Sequence, residues 1–201
     1  MSSKMAIGDK APGFKFQTPW DNEANFYDAV GNHPAVLFFL RYYGCPVCRM
    51  EMAVIKQEID LVRQKRGRVF VVLQSAPETI ASLSTREDWP FTIICDPLGK
   101  VFKRYGAEVG GLIRYLHPTG LFAAIKAIGR GFRHGKFEGR ETQLPAAFAM
   151  TAEKVVTYAH YGKNIGDIPS LMVMTAGLSK AEPGRRGSCP SPARARRAER
   201  R

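Results

Sequence analysis

With 201 residues, 45% of them apolar and 24% charged, the chain has an ordinary globular composition, which excludes wholesale disorder. Thirty Lys and Arg against 18 Asp and Glu give a formal net charge of +12, and four cysteines are too few for a disulfide scaffold at this length. No apolar run approaches the ~20 residues of a membrane span, and the opening from Met1 to Asp9 lacks the apolar stretch of a secretory signal. The expectation is a cytoplasmic α/β or α+β domain with no transmembrane segment.

Ala35 to Leu40 is a continuous apolar run of strand length, the pattern of a central strand buried on both faces. After Gly44-Cys-Pro-Val-Cys48 the period changes. Met50, Val54, Ile55, Ile59 and Val62 fall three and four apart, which predicts a helix starting near Cys45 and ended by Gly67. Val69 to Leu73 is a second buried strand, so the three elements form a β-α-β unit with parallel strands and a right-handed crossover. Pro77 to Glu87 reads as a helix with Ser75 as a candidate cap, Thr92 to Cys95 as a short strand, and Val101 to Tyr105 as a short helix. Residues 110–143 read as an insertion holding one short helix, Leu121 to Ile128, and a Gly-rich basic loop. Its stretch from Gly111 to Arg140 has six Lys and Arg and one Glu, and covering the active site, binding a partner and touching an anionic membrane are its candidate roles, in that order. Ala146 to Met150 and Val155 to Tyr158 read as a hairpin.

The end of the chain differs in character. Leu178 to Arg201 holds eight Lys and Arg against two acids, half the net charge, with almost no large apolar side chain. Residues 171–201 are accordingly assigned to a basic, disordered tail after a domain at 1–170. With no aromatic residue to stack on a base, the tail gives no sign of specific nucleic-acid binding.

Cys45 and Cys48 carry the chemistry. Two thiols three apart at a helix start can close a ring with each other, and the helix end favours the thiolate of the first. A zinc site would need a second ligand pair. Cys95 stands alone, Cys189 is in the tail, and His33, His117, His134 and His160 lack ligand spacing. A redox pair is the leading reading, ahead of two buried structural thiols, with no metal and no cofactor expected. Arg41 and Arg49 flank the pair and are candidates to hold a thiolate. Cys95, at a buried strand end, reads as core packing and His160 as structural. Gly129 to Gly135 lacks the spacing of a phosphate loop.

Ala6-Ile-Gly-Asp-Lys-Ala-Pro-Gly-Phe14 resembles the opening of the alkyl hydroperoxide reductase/thiol-specific antioxidant family, the peroxiredoxins and thioredoxin-like redoxins. Phe91 to Gly99 followed by Tyr105-Gly106, and Leu144 to Phe148, resemble that family's strand, turn and late strand. Together with Arg41 to Arg49, Glu138 to Pro145 and Tyr158 to Lys163, they are similar to its bacterial peroxiredoxin-like branch over about residues 6–170. The resemblance implies a thioredoxin fold, a mixed sheet flanked by helices.

It also frames the mechanism. The family's peroxidatic site has Pro and Thr seven and three residues before the cysteine and Arg on the late strand; here Phe38, Tyr42 and Pro145 stand there, with Tyr42 or Arg41 as substitutes. A thioredoxin-like site has C-x-x-C facing a cis-proline, which Cys45, Cys48 and Pro145 match, although Phe39 replaces the buried carboxylate. The resemblance therefore implies thiol-disulfide exchange on a protein disulfide, with Pro145 cis beside the thiols. The alternative is a thiol peroxidase acting on a hydroperoxide, with Cys45 peroxidatic and Cys48 resolving. Either needs a thiol reductant such as thioredoxin or glutathione. A non-enzymatic binding module is the third reading.

Overall fold

The structure is a computed structural model, and it describes residues 3–107, 109–110 and 118–178. The fourth cysteine, Cys189, and the basic stretch after Leu178 lie outside these residues.

A short antiparallel ribbon, β1 (Lys15–Phe16) and β2 (Ala24–Asn25), leads into helix α1 (Phe26–Val30). Then come β3 (Ala35–Phe39), α2 (Pro46–Arg63), β4 (Arg68–Leu73), α3 (Pro77–Ala81), β5 (Thr92–Cys95) and α4 (Lys100–Arg104). Helix α5 (Pro118–Gly129), β6 (Ala146–Met150), β7 (Val156–Tyr161) and α6 (Leu171–Thr175) complete the order. The main sheet runs β5-β4-β3-β6-β7, with β3, β4 and β5 parallel and β6 and β7 antiparallel.

β3 is flanked on both edges, and its period of two explains why it is apolar throughout. Val36, Phe38 and Leu40 join one core with Met52, Ile55, Ile59 and Val62 of α2. Ala35, Leu37 and Phe39 join another with Phe26, Phe70, Phe102 and Phe148. Phe39 meets Phe102 and Phe148 edge to face at 5.1 and 5.7 Å, pairs worth about 0.5–1.5 kcal/mol each beyond burial. The sheet thus fixes the end of β3, from which the thiols hang.

Several boundaries differ from the sequence expectation. α3 ends at Ala81 rather than near Glu87, because the hydroxyls of Ser82 and Ser84 donate to the carbonyls of Thr79 and Ile80 and compete with the helix. Ser75 does not cap it; its hydroxyl accepts the Tyr43 amide at 2.9 Å. α5 starts at Pro118, a residue suited to a first helical turn. Residues 171–178, assigned to the tail, instead form α6 and a 3-10 turn whose Leu171, Met174 and Leu178 are buried with α2. Their spacing of three and four is an apolar helical face.

Asp96 shows how a turn is secured. Its carboxylate accepts the amides of Lys100, Val101 and Phe102 at 2.8, 2.7 and 3.1 Å, and Gly99 beside it takes φ +66°. Asp96→Ala strands three donors at the start of α4. The expected loss is about 3 kcal/mol, a Tm fall of roughly 6–12 °C for a chain of this size, read by thermal denaturation.

Candidate active site

The chain leaves β3 through Arg41 to Gly44 and enters α2 at Cys45. Proline at the first helical position, Pro46, suits this entry because its missing N–H would have had no partner in the helix. Cys45 is the N-cap, and its Sγ accepts the Cys48 amide at 3.4 Å. Sulfur therefore occupies the place that a serine or aspartate oxygen fills in an ordinary cap. The positive end of an 18-residue helix points at it. Arg41 is held through its carbonyl, which accepts the Gln74 amide at 2.7 Å. One guanidinium nitrogen donates to Cys45 Sγ at 2.9 Å; the other donates to the Glu141 carbonyl at 2.8 Å and carboxylate at 3.3 Å.

These contacts separate the two thiols. Burial pushes the Cys45 thiol up, but the hydrogen bond from the Cys48 thiol, the Arg41 charge and the Cys48 amide overcome it and bring it down to about 6. Cys48 moves the other way: burial raises it, and the neighbouring Cys45 charge raises it further. At neutral pH the pair is one thiolate accepting a hydrogen bond from one thiol, the division of labour that nucleophilic sulfur chemistry uses.

A strap formed by residues 132–143 closes over the pair. The Gly135 amide donates to the Gly44 carbonyl at 2.8 Å, and a Cβ on Gly44 would lie 2.2 Å from the Lys136 carbonyl, so that position needs glycine. His134 Nε2 lies 2.9 Å from the Tyr42 hydroxyl. Glu138 accepts from the Thr79 hydroxyl at 2.8 Å, and the Arg140 amide donates to Gln74 Oε1 at 2.6 Å. Under this cover Cys45 has 0% of its surface exposed and Cys48 3%.

Arg41, Tyr42, Cys45 and Cys48 are thus brought together. Burial and the Glu141 hydrogen bond push the Tyr42 hydroxyl up, so it stays a neutral donor. Arg49 points elsewhere, its guanidinium 5.7 Å from the Tyr43 ring centre and 6.0 Å from that of Phe132. Cys95 is buried at the end of β5, its thiol pushed up to about 12 by burial and the charges of Glu78 and Glu138. His160 pairs with Asp167 at 3.1 Å. Sequence reasoning missed His134 and Glu141 as neighbours of the pair; each lies about a hundred positions from its partner, and no local pattern marks either.

The expected cis bond at Pro145 is not present. The Leu144–Pro145 peptide is trans, the default state of an X-Pro bond. The Pro145 carbonyl accepts the Gly162 amide at 2.8 Å, and the Leu144 carbonyl accepts from Gln143 Nε2 at 3.1 Å. Leu144 is itself buried. A substrate strand added here would need the Leu144 amide and carbonyl, and that carbonyl already has a partner within the chain.

The AhpC/TSA family model matches residues 7–159. The chain belongs to the AhpC/TSA family. It is accordingly a thiol-based redox enzyme, a thiol-dependent peroxidase or thiol-disulfide oxidoreductase, within the antioxidant and peroxiredoxin-like group. No curated protein sequence matches it significantly. Solved structures give the fold of this AhpC/TSA protein as thioredoxin-like. The peroxidoxin BcpB from Mycobacterium tuberculosis aligns with a TM-score of 0.59 at 14% identity, over 87% of this chain and 96% of that one. A thiol peroxidase from Chromobacterium violaceum aligns at 0.58 and 15%, over 84% and 83%. The yeast mitochondrial 1-Cys peroxiredoxin, described as resolved through glutathione/thioredoxin systems, aligns at 0.53 and 16%, over 78% and 67%.

Proposed function

We propose that the protein is a thiol peroxidase in which Cys45 attacks a hydroperoxide and Cys48 resolves the product. The observation that carries this reading is the Cys45 sulfur, fully buried at the α2 N-cap with the Arg41 guanidinium 2.9 Å away. A hydroperoxide is small enough to reach a thiol beneath the strap, whereas a protein disulfide needs an open face and free backbone groups beside it. The trans Pro145, with its neighbouring carbonyls occupied, argues against that second kind of substrate.

In the proposed reaction the Cys45 thiolate attacks the terminal oxygen of R–O–OH. The S–O bond forms as the O–O bond breaks, giving a sulfenic acid and an alkoxide that takes up a proton to leave as ROH. Arg41 is placed to hold both the thiolate and the charge growing on the departing oxygen. It stands in for the late-strand Arg whose position Pro145 occupies. The Cys48 sulfur then displaces hydroxide from the Cys45 sulfenic acid, water leaves, and a disulfide remains. Two equivalents of an external thiol, of the thioredoxin or glutathione class, return the pair to the reduced state, and a cytoplasmic location suits that supply.

Stopped-flow mixing of the reduced protein with hydrogen peroxide tests this, beside an insulin-reduction assay. The expected result is oxidation orders of magnitude faster than free cysteine, with little insulin reduction. Cys45→Ser abolishes it; Cys48→Ser keeps the first step but leaves a sulfenic acid that dimedone captures. A peroxide rate no faster than free cysteine, together with rapid insulin reduction, returns the site to thiol-disulfide exchange.

A further inference from the structure

Helix α5 is packed inside out. The side facing the protein uses small residues: Gly120 and Ala127 are buried, and Ala123 and Ala124 are half-buried against the core on α2. A Cβ on Gly120 would lie 2.8 Å from Ile165, so nothing larger fits there. The side facing solvent carries the large apolar residues, Leu121, Phe122, Ile125 and Ile128, which are 57–67% exposed. An amphipathic helix of a free-standing domain does the reverse, burying its bulk and showing its polar residues. An ordered apolar stripe turned outward implies an occupant.

The charge beside the stripe says which. From Pro118 to Phe137 the sequence has no Asp or Glu. Lys126, Arg130, Arg133 and Lys136 are all exposed there, and Phe137 is exposed among them. The residues after Leu178 are no match for this face, since they are themselves basic and lack large apolar side chains. A second copy laid face to face would set like charges against each other. Large aliphatic and aromatic side chains beside exposed cations are what an anionic lipid surface binds: the apolar groups enter the headgroup boundary while the cations meet phosphate.

We propose that α5 and the basic strap that follows it form a docking surface for an anionic lipid bilayer. Among the described residues no helix is long and apolar enough to cross a membrane, so the contact is peripheral. The inference rests on the outward face of α5 and not on the redox reading.

The test is flotation of the full-length protein with vesicles of phosphatidylcholine, alone and with phosphatidylglycerol added. The protein is expected to float with the anionic vesicles, to stay behind with the neutral ones, and to detach as salt is raised. Phe122→Ser with Ile125→Ser is expected to weaken partitioning at least about tenfold, given the apolar burial lost. Circular dichroism and an unchanged rate of peroxide oxidation would show the fold intact, because both side chains face outward. No flotation overturns the proposal. So does flotation that the double substitution leaves unchanged, since the basic C-terminal stretch alone would then explain it. Concentration-dependent self-association abolished by the same substitutions, or capture by polyglutamate without any vesicle binding, would assign the face to a second copy or to an acidic polypeptide.

Discussion

Replacing Arg41 with Met is expected to slow oxidation of Cys45 by hydrogen peroxide about 10²–10³-fold at neutral pH, the usual loss on removing one fixed donor from a developing charge. Two effects add. The guanidinium is one of the groups that hold Cys45 as a thiolate against the cost of burial, so without it the thiol moves back toward its ordinary value of 9.0. The same guanidinium is the only charge donating directly to that sulfur among the described contacts, so the departing oxygen loses its partner as well. The two are separable by measuring iodoacetamide alkylation across pH. The inflection should move upward, and the rate above the new inflection reports the remaining thiolate reactivity. Any deficit toward peroxide at that high pH is the transition-state part. Met keeps the length of the stem and spares the packing. Arg41→Lys should recover part of the thiolate but not the forked contact to Cys45 and Glu141. An unchanged peroxide rate in Arg41→Met would remove Arg41 from the mechanism.

The parts of this molecule that were legible in the sequence are those written in local pattern. β3 is apolar at every position because each of its faces meets a separate core, and that run, followed by Pro46 and a helical period, located the thiols at a strand-to-helix corner. Cys45, Cys48 and Arg41 lie within eight positions of one another, so one turn of chain brings them together. The strap is different. His134 and Glu141 reach Tyr42 and Arg41 from about a hundred positions away, and the sole local hint was a Gly-rich stretch in which Gly135 comes close to Gly44 and Gly139 to Gln74. Pro145 misled because a proline at a strand start is compatible with either isomer, and only the partners of its neighbouring carbonyls decide whether a substrate strand can pair there. The orientation of α5 was not legible, although its helix was. An apolar helix with both small and large residues has no sign in its period of which set faces inward, and here the small set does.

The opposed shifts of the two thiols predict how stability of the reduced protein depends on pH. Cys45 gives up its proton near pH 6 in the folded chain and near 9.0 when unfolded. Between those values the unfolded state binds more protons, so stability rises with pH. The contribution is complete above the unfolded value and is lost as pH falls through about 6. Cys48 acts with the opposite sign. Its folded thiol keeps the proton after the unfolded one has begun to lose it, so stability falls as pH climbs past the ordinary thiol range. The reduced protein should therefore gain stability from about pH 6 toward 9 and then turn over. Urea denaturation under a non-thiol reductant at several pH values measures this. Cys45→Ser should flatten the rising limb, since its hydroxyl does not titrate there. It should also soften the fall attributed to Cys48, whose thiol no longer sits beside an anion. Oxidation to the disulfide should remove both limbs together. A rising limb that persists unchanged in Cys45→Ser would mean that another group supplies it and that Cys45 is not a thiolate at neutral pH.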